Sequence, residues 1–323
     1  MYFAHWLASS LLTFGLVATA HAQPKLIEIA SFGEHPALNQ VAEGFKARMG
    51  QLGYKEGADV NYEFLHANFD RSLIPQVLQR AEAKKPALIF AITTPMIQAA
   101  VRGISDKSIP VVFGSVVDPV AAGVVPDWKS GSAWGSGATL LQDFEASIVF
   151  VKQVVPGVKR LGTLYNPGED NDTTNIALMK KAAAKAGVEL VALPVDNGND
   201  IPQRAQGFAG KVDAIYQIQS NIVQTAIPVL AQVAHRLRIP LFNSVYSEQL
   251  KNELAGFHAV SYTKNGAHAA DIAFRILKGE KPASIPPYVP RPEDFDSYVS
   301  PRGLEAVGLS IPKALEGSPW LIK

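Results

Sequence analysis

Six short clusters of polar and aromatic residues each follow an apolar run in this chain: Ser31–His35, Thr93-Thr94, Ser115–Asp118, Tyr165–Asp172, Gln219–Asn221 and Ser244–Tyr246. They carry hydroxyls, primary amides, rings and a few carboxylates. No thiol is available, because the chain has no cysteine. Such groups suit capture of a small polar or zwitterionic molecule, whose anionic part sits well at helix N-termini. The expected binding set is Phe32, Thr93, Thr94, Ser115, Tyr165, Glu169, Asn171, Asp172, Gln219, Asn221, Ser244 and Tyr246. Thr93, Thr94 and Ser115 are expected to take an anionic group, and Glu169 or Asp172 a cation. Phe32, Tyr165 and Tyr246 are expected to pack on the apolar part. Taken singly, Thr94, Asp172 and Asn221 read equally well as helix caps, so the argument rests on their convergence.

Catalysis is the competing reading. Glu169, Asp170 and Asp172 form an acidic cluster that acid–base work or a metal would use, but no partner base stands near them in sequence. No G-x-S-x-G, H-E-x-x-H, Walker loop or G-x-G-x-x-G occurs. Of seven histidines, His35, His66, His258 and His268 lack metal-ligand spacing. His235 lies in a basic helix end, and His5 and His21 lie in an N-terminal leader. No catalytic residue, metal site or cofactor is therefore expected.

Positioning the six clusters requires strands that end together. Arg160–Val188 reads as a buried strand (Leu161–Tyr165), a turn with Asn-Pro-Gly, then a helix from a cap at Asp172 to Gly187. Leu26–Ala30, Ser31–His35, a helix from Pro36 to Leu52, Gly53 and a strand at Val60–Phe64 repeat that order, offset by 134 residues. Ala87–Ala100 pairs with Asp213–Ala226 at an offset of 126, and Ile109–Phe113 with Ile239–Asn243 at 130. Three units in one order at nearly one offset imply two similar α/β lobes. Their strands alternate with helices and so form parallel sheets, whose carboxyl-end loops line a crevice. The alternative is a single large sheet with generic βα repetition.

Length and composition agree with two globular lobes. The chain has 323 residues, 47% hydrophobic and 18% charged, enough apolar material for buried parallel strands. A net charge of +1 with scattered basic residues gives no footprint for nucleic acid or an anionic membrane. Trp6–Ala18 is an apolar run of signal-peptide length, followed by Ala20-His21-Ala22 as a cleavage pattern. The expectation is a leader at 1–22 removed before Gln23, and a periplasmic, monomeric mature protein without lipid anchor or stable membrane insertion. The first lobe is expected at 23–138 with 263–290 and the second at 139–262. Residues 291–323 form a C-terminal return of open lobe assignment. The Gly/Ser-rich Gly131–Gly137 reads as a crossover between lobes, and proline-rich Pro282–Pro292 as a hinge-side or extended return.

The chain also resembles a known family, the ABC-transporter substrate-binding proteins of the tryptophan/tyrosine type. The residues that carry the likeness are Glu34-His35-Pro36-Ala37-Leu38, Thr94-Pro95, Asp118-Pro119-Val120-Ala121-Ala122-Gly123, Leu164-Tyr165-Asn166-Pro167 with Glu169, and Ile276–Pro282. The likeness covers roughly Ile27 to Ile311. The resemblance implies the two-lobed periplasmic binding fold with three interlobe crossovers. It also implies capture of an amino acid or related compound, aromatic ones included, for delivery to a permease driven by an ATPase. The chain departs from the family pattern at Ser220-Asn221, where members commonly have Asp-Asn, and at Glu169–Asp172, where Glu-Ala-Asn-Ser is common. An ammonium contact at 220 would then pass to Asp172 or Glu169. The other readings of the same cleft are a periplasmic sensor docking on a receptor kinase, and an enzyme built on the same scaffold.

Overall fold

A computed structural model describes residues 23–322, so the expected leader lies outside the described residues. From the start the chain makes β1 (Lys25–Ser31), α1 (Pro36–Gln51), β2 (Val60–His66), α2 (Ile74–Ala83), β3 (Leu88–Ile92), α3 (Thr94–Gly103), β4 (Val111–Val116) and β5 (Gly135–Thr139). It then crosses to a second lobe and makes α4 (Phe144–Val154), β6 (Arg160–Tyr165), α5 (Asp170–Lys185), β7 (Glu189–Pro194) and α6 (Ile201–Gln206). That lobe continues with β8 (Ala214–Gln217), α7 (Asn221–Thr225), α8 (Ile227–Leu237), β9 (Leu241–Asn243) and β10 (Gly256–Val260). A second crossing opens α9 (Tyr262–Leu277), and a third leads to β11 (Phe295–Val299) and α10 (Pro301–Glu305).

The first sheet has the order β2-β1-β3-β4-β5 and the second β11-β10-β9-β8-β6-β7. All neighbours are parallel except β10 and β11. Without β11 the second order is the first repeated, β6 to β10 standing for β1 to β5. The sequence duplication therefore has a topological meaning: each lobe is one copy. β3 and β4 are buried along their whole length, as unbroken apolar runs require when helices cover both faces.

α9 follows the second lobe in sequence yet packs on the first. A Cβ on Gly266 would stand 2.0 Å from the Val41 carbonyl oxygen, and one on Gly44 2.2 Å from that of Thr263. The two glycines let α1 and α9 meet at backbone distance, which pins the start of α9 to the first lobe. The third crossing is held similarly: Tyr288 N donates to Gly137 O at 2.9 Å, and Thr139 N to Tyr288 O at 2.9 Å. The proline-rich segment is thus an extended return along β5. Beyond it, β11 completes the second sheet, and Val299, Leu304 and Leu315 join the second lobe's core.

Two readings need correction. Gly131–Gly137 is not a crossover loop, because Gly135–Thr139 is a buried strand paired with β4. A Cβ at Gly137 would lie 2.1 Å from Phe113 O, and one at Gly135 2.3 Å from Val111 O, so only glycine permits this pairing. The crossing follows it. The helix caps also sit elsewhere: the N-cap positions are Thr93, Glu169 and Ser220, not Thr94, Asp172 and Asn221. Asp172 caps the preceding turn instead, its Oδ2 accepting from Asn166 N at 2.7 Å.

Candidate ligand-binding site

The strand ends of the two lobes face each other across one cleft. Its first-lobe wall comes from His35, Phe69, Thr93, Thr94 and Ser115, and its second-lobe wall from Asn171, Gln219, Ser220, Asn221 and Gln224. Leu38, Val117, Leu140, Val245 and Tyr262 supply apolar surface. Tyr262 opens α9 directly after a crossing, so the hinge itself contributes to the cleft.

The first-lobe wall is strained and short of partners. Thr93 has φ 87° and ψ 155°, a conformation that is essentially restricted to glycine, and Ser115 has φ 56°. Ser115 is held there by its N–H, which donates to Asn265 Oδ1 at 2.8 Å. The hydroxyl oxygens of Thr93 and Thr94 are buried without a hydrogen-bond partner, and Thr93 makes no capping bond to α3. The N–H groups of the first turn of α3 have no partner inside the helix, and Pro95 offers none. Two unpartnered hydroxyls and a helix N-terminus thus lie on one wall of the cleft, which favours an anionic group.

The second-lobe wall carries amides backed by acids. Asn171 Nδ2 donates to Asp172 Oδ1 at 2.8 Å and to Glu169 Oε2 at 3.3 Å, and Asn221 Nδ2 donates to the same Glu169 oxygen at 2.6 Å. Burial pushes the Glu169 carboxyl above its ordinary value, against the pull of those amides and of Arg71. Asp172 is pushed up further by burial and by the neighbouring Glu169, so the two titrate as a unit. Arg71, from the first lobe, is the cation that faces both. At the rim, Gln98 Nε2 of α3 donates to Asp170 Oδ2 of α5 at 2.7 Å, a direct bond between lobes.

His35 Nδ1 accepts from Ala37 N at 3.2 Å and caps α1, while its ring lies against the Gln224 carbonyl across the cleft. Burial lowers its pKa and favours the neutral ring, whose proton sits on Nε2 because Nδ1 accepts. The expected helix-entrance role holds, with an interlobe contact added. With the lobes in this arrangement the cavity measures about 30 Å3. That is room for about two waters, each needing at least ~10–15 Å3 by this measure. That is too small for a molecule of amino-acid size.

Of the twelve expected binding residues, Thr93, Thr94, Ser115, Asn171, Gln219 and Asn221 line the cleft. Glu169 and Asp172 sit one layer behind it, 2% and 0% exposed. Phe32 is a core residue set edge-on against Phe69, which takes the place in the cleft. Ser244 is fully buried, and Tyr165 packs on the second lobe's core. Tyr246 lines a separate depression with Phe257 and Tyr298. Residues not anticipated include Phe69, Gln224 and Tyr262, while Ser220 belongs to an expected cluster but not to the expected binding set. Phe69 had a usable signal, since it follows β2 as the other clusters follow their strands. Among the described residues no group of three or more His, Asp or Glu is placed to hold a metal ion.

Comparison with known proteins places this geometry. A family model described as ABC transporter substrate binding protein matches residues 26–319. A Clostridioides difficile relative named tyrosine-binding protein is 28% identical over 268 residues, 83% of this chain and 77% of that protein. A solved Streptococcus pneumonia ABC domain in complex with L-Trp superposes with TM-score 0.85 at 24% identity, covering 93% of this chain and 100% of that one. The ligand-free, open structure of a substrate binding protein with adhesive properties from Clostridium difficile gives 0.70 at 28% identity, covering 93% and 99%.

Proposed function

The chain belongs to the ABC transporter substrate-binding protein family, and we propose that its ligand is a free amino acid, with an aromatic or large apolar side chain preferred. The observation that carries this reading is the opposition of two poles across one cleft. The α3 N-terminus with the unpartnered Thr93 and Thr94 hydroxyls suits a carboxylate. The amides backed by Glu169 and Asp172 suit an ammonium group. Phe69, Leu38, Tyr262 and Val245 supply surface for a side chain. The name of the tyrosine-binding relative supports the same class.

In this reading the protein binds without chemistry, as a monomer, and passes its ligand to a permease coupled to an ATPase. Substrate-binding proteins of ABC importers work outside the cytoplasm, and among the described residues no helix is long and apolar enough to cross a membrane. The periplasm, reached after cleavage at Ala22, is the proposed compartment. The test is calorimetry with L-tyrosine, L-tryptophan, L-phenylalanine and D-glucose, together with mass spectrometry of compounds released on denaturation. Saturable binding of at least one of the amino acids is expected. A co-purified sugar, with no amino acid bound, would overturn the proposal.

A further inference from the structure

We infer that Asn171 and Asn221 present their Oδ1 atoms as a two-oxygen acceptor for a primary ammonium group, and that Glu169 and Asp172 are positioning residues that hold both amides in that sense. The inference rests on the amino-acid reading above and names the atoms of its cationic pole.

Amide orientation follows from what surrounds each amide. Asn171 has two Nδ2 protons, and both have acceptors, Asp172 Oδ1 at 2.8 Å and Glu169 Oε2 at 3.3 Å. Asn221 Nδ2 takes the same Glu169 oxygen at 2.6 Å. An ionised carboxylate only accepts. Turning either amide over would set its oxygen against carboxylate oxygens at those distances. Oδ1 is therefore the end left for the cleft in both residues. In Asn171, 5% exposed and lining the cleft, that oxygen is buried and has no partner.

The acids do not reach the cleft themselves. Asp172 is tied to the turn before α5 through Asn166 N, and Glu169 is shared between the first turns of α5 and α7. Their effect on a ligand passes through the amides in two ways. They fix which amide atom faces outward, and they place negative charge behind it where water is excluded. A neutral hydroxyl can use the first effect, whereas only a cation gains from both. The charged groups facing the pair are Asp170 at the rim and Arg71 across the cleft. A primary ammonium with several N–H donors can serve both amides of the one cleft, and a ligand without one leaves the buried Asn171 oxygen unpaired.

The test compares L-tyrosine with 3-(4-hydroxyphenyl)propanoate, which lacks only the ammonium group. Wild type is expected to favour L-tyrosine by on the order of 100-fold. Glu169→Ala, which frees Asn221 to rotate, should reduce that ratio to below about tenfold while changing affinity for the deaminated analogue by less than about threefold. Glu169→Gln, which keeps an acceptor but removes the charge, should recover part of the ratio. Asn221→Ala, which leaves the Glu169–Asn171–Asp172 contacts in place, is the second probe should Glu169→Ala not fold, and it too should lower the ratio. Equal loss for both ligands, or an unchanged ratio, overturns the inference and leaves the amino-acid reading standing. Failure of wild type to bind L-tyrosine, L-tryptophan or L-phenylalanine overturns the reading itself, and this inference with it.

Discussion

Thr93 holds a backbone conformation, φ 87° and ψ 155°, that a Cβ strongly disfavours, and it does so at the mouth of α3. A non-glycine residue in such a region carries about 1–3 kcal/mol of strain. Replacing it by glycine removes that strain but adds backbone freedom to the unfolded chain, worth about 0.5–1 kcal/mol. Replacing it by alanine keeps the strain. Both changes delete the same buried hydroxyl and methyl, so those losses cancel in the comparison. Thr93→Gly should therefore be more stable than Thr93→Ala by about 1 kcal/mol, within a range of roughly 0–2.5 kcal/mol. For a chain of this size that is a difference of about 2–4 °C in melting temperature per kcal/mol. Urea and thermal unfolding of the unliganded variants, followed by circular dichroism, would measure it. Binding should respond differently: each variant loses one hydroxyl contact, so each should bind the ligand about tenfold more weakly than wild type. If Thr93→Ala proves the more stable of the two, the strain argument is wrong. If both bind as wild type, the hydroxyl does not meet the ligand.

Two further outcomes follow from the closed cleft and its acids. With no native cysteine, Gln98→Cys/Asp170→Cys places two thiols across the rim where Gln98 and Asp170 now bond at 2.7 Å. A short bismaleimide should lock the lobes and reduce ligand uptake at least tenfold relative to the unlinked variant. Uptake at the unlinked level would show that ligand enters without the lobes parting. Because burial holds the Glu169 and Asp172 carboxyls above their ordinary range, keeping them ionised behind the amides costs the unliganded fold stability relative to their protonated forms. The stability they contribute is full below the ordinary carboxylate range and is lost as pH rises through their raised values. The urea midpoint of the unliganded protein should fall as pH rises above the ordinary carboxylate range, and Glu169→Gln should flatten that slope; an identical slope in the variant would refute the assignment.

Much of the architecture was legible because it is local or repeated. Buried parallel strands read as apolar runs, Gly187 marks a helix end with φ 67°, and the repeated order of elements implied two lobes before any contact was known. The same rule that puts ligand loops at carboxyl ends of parallel strands placed Thr93, Thr94, Ser115, Asn171, Gln219 and Asn221 in the cleft. Family resemblance reached the same fold from motifs spread along nearly the whole chain, and the match over 26–319 agrees with it.

Tertiary structure decided the rest, for reasons that sequence spacing does not carry. Gly135–Thr139 looks like a loop because glycine has no strand preference of its own; only the approach of β4 at 2.1 Å to an imagined Gly137 Cβ makes glycine necessary there. Tyr165 and Phe32 follow the right strands but turn into the cores, since side chains alternate between faces and one position decides which. Tyr262 enters the cleft from a crossing, which no lobe-by-lobe reading would include. Sequence showed three acids near residue 170. It took the meeting of the α5 and α7 N-termini to set Glu169 and Asp172 behind Asn171 and Asn221, so that amides rather than carboxylates line the cleft. Residue type is written in the chain, whereas the atom that a side chain presents is set by the neighbours that satisfy its other end.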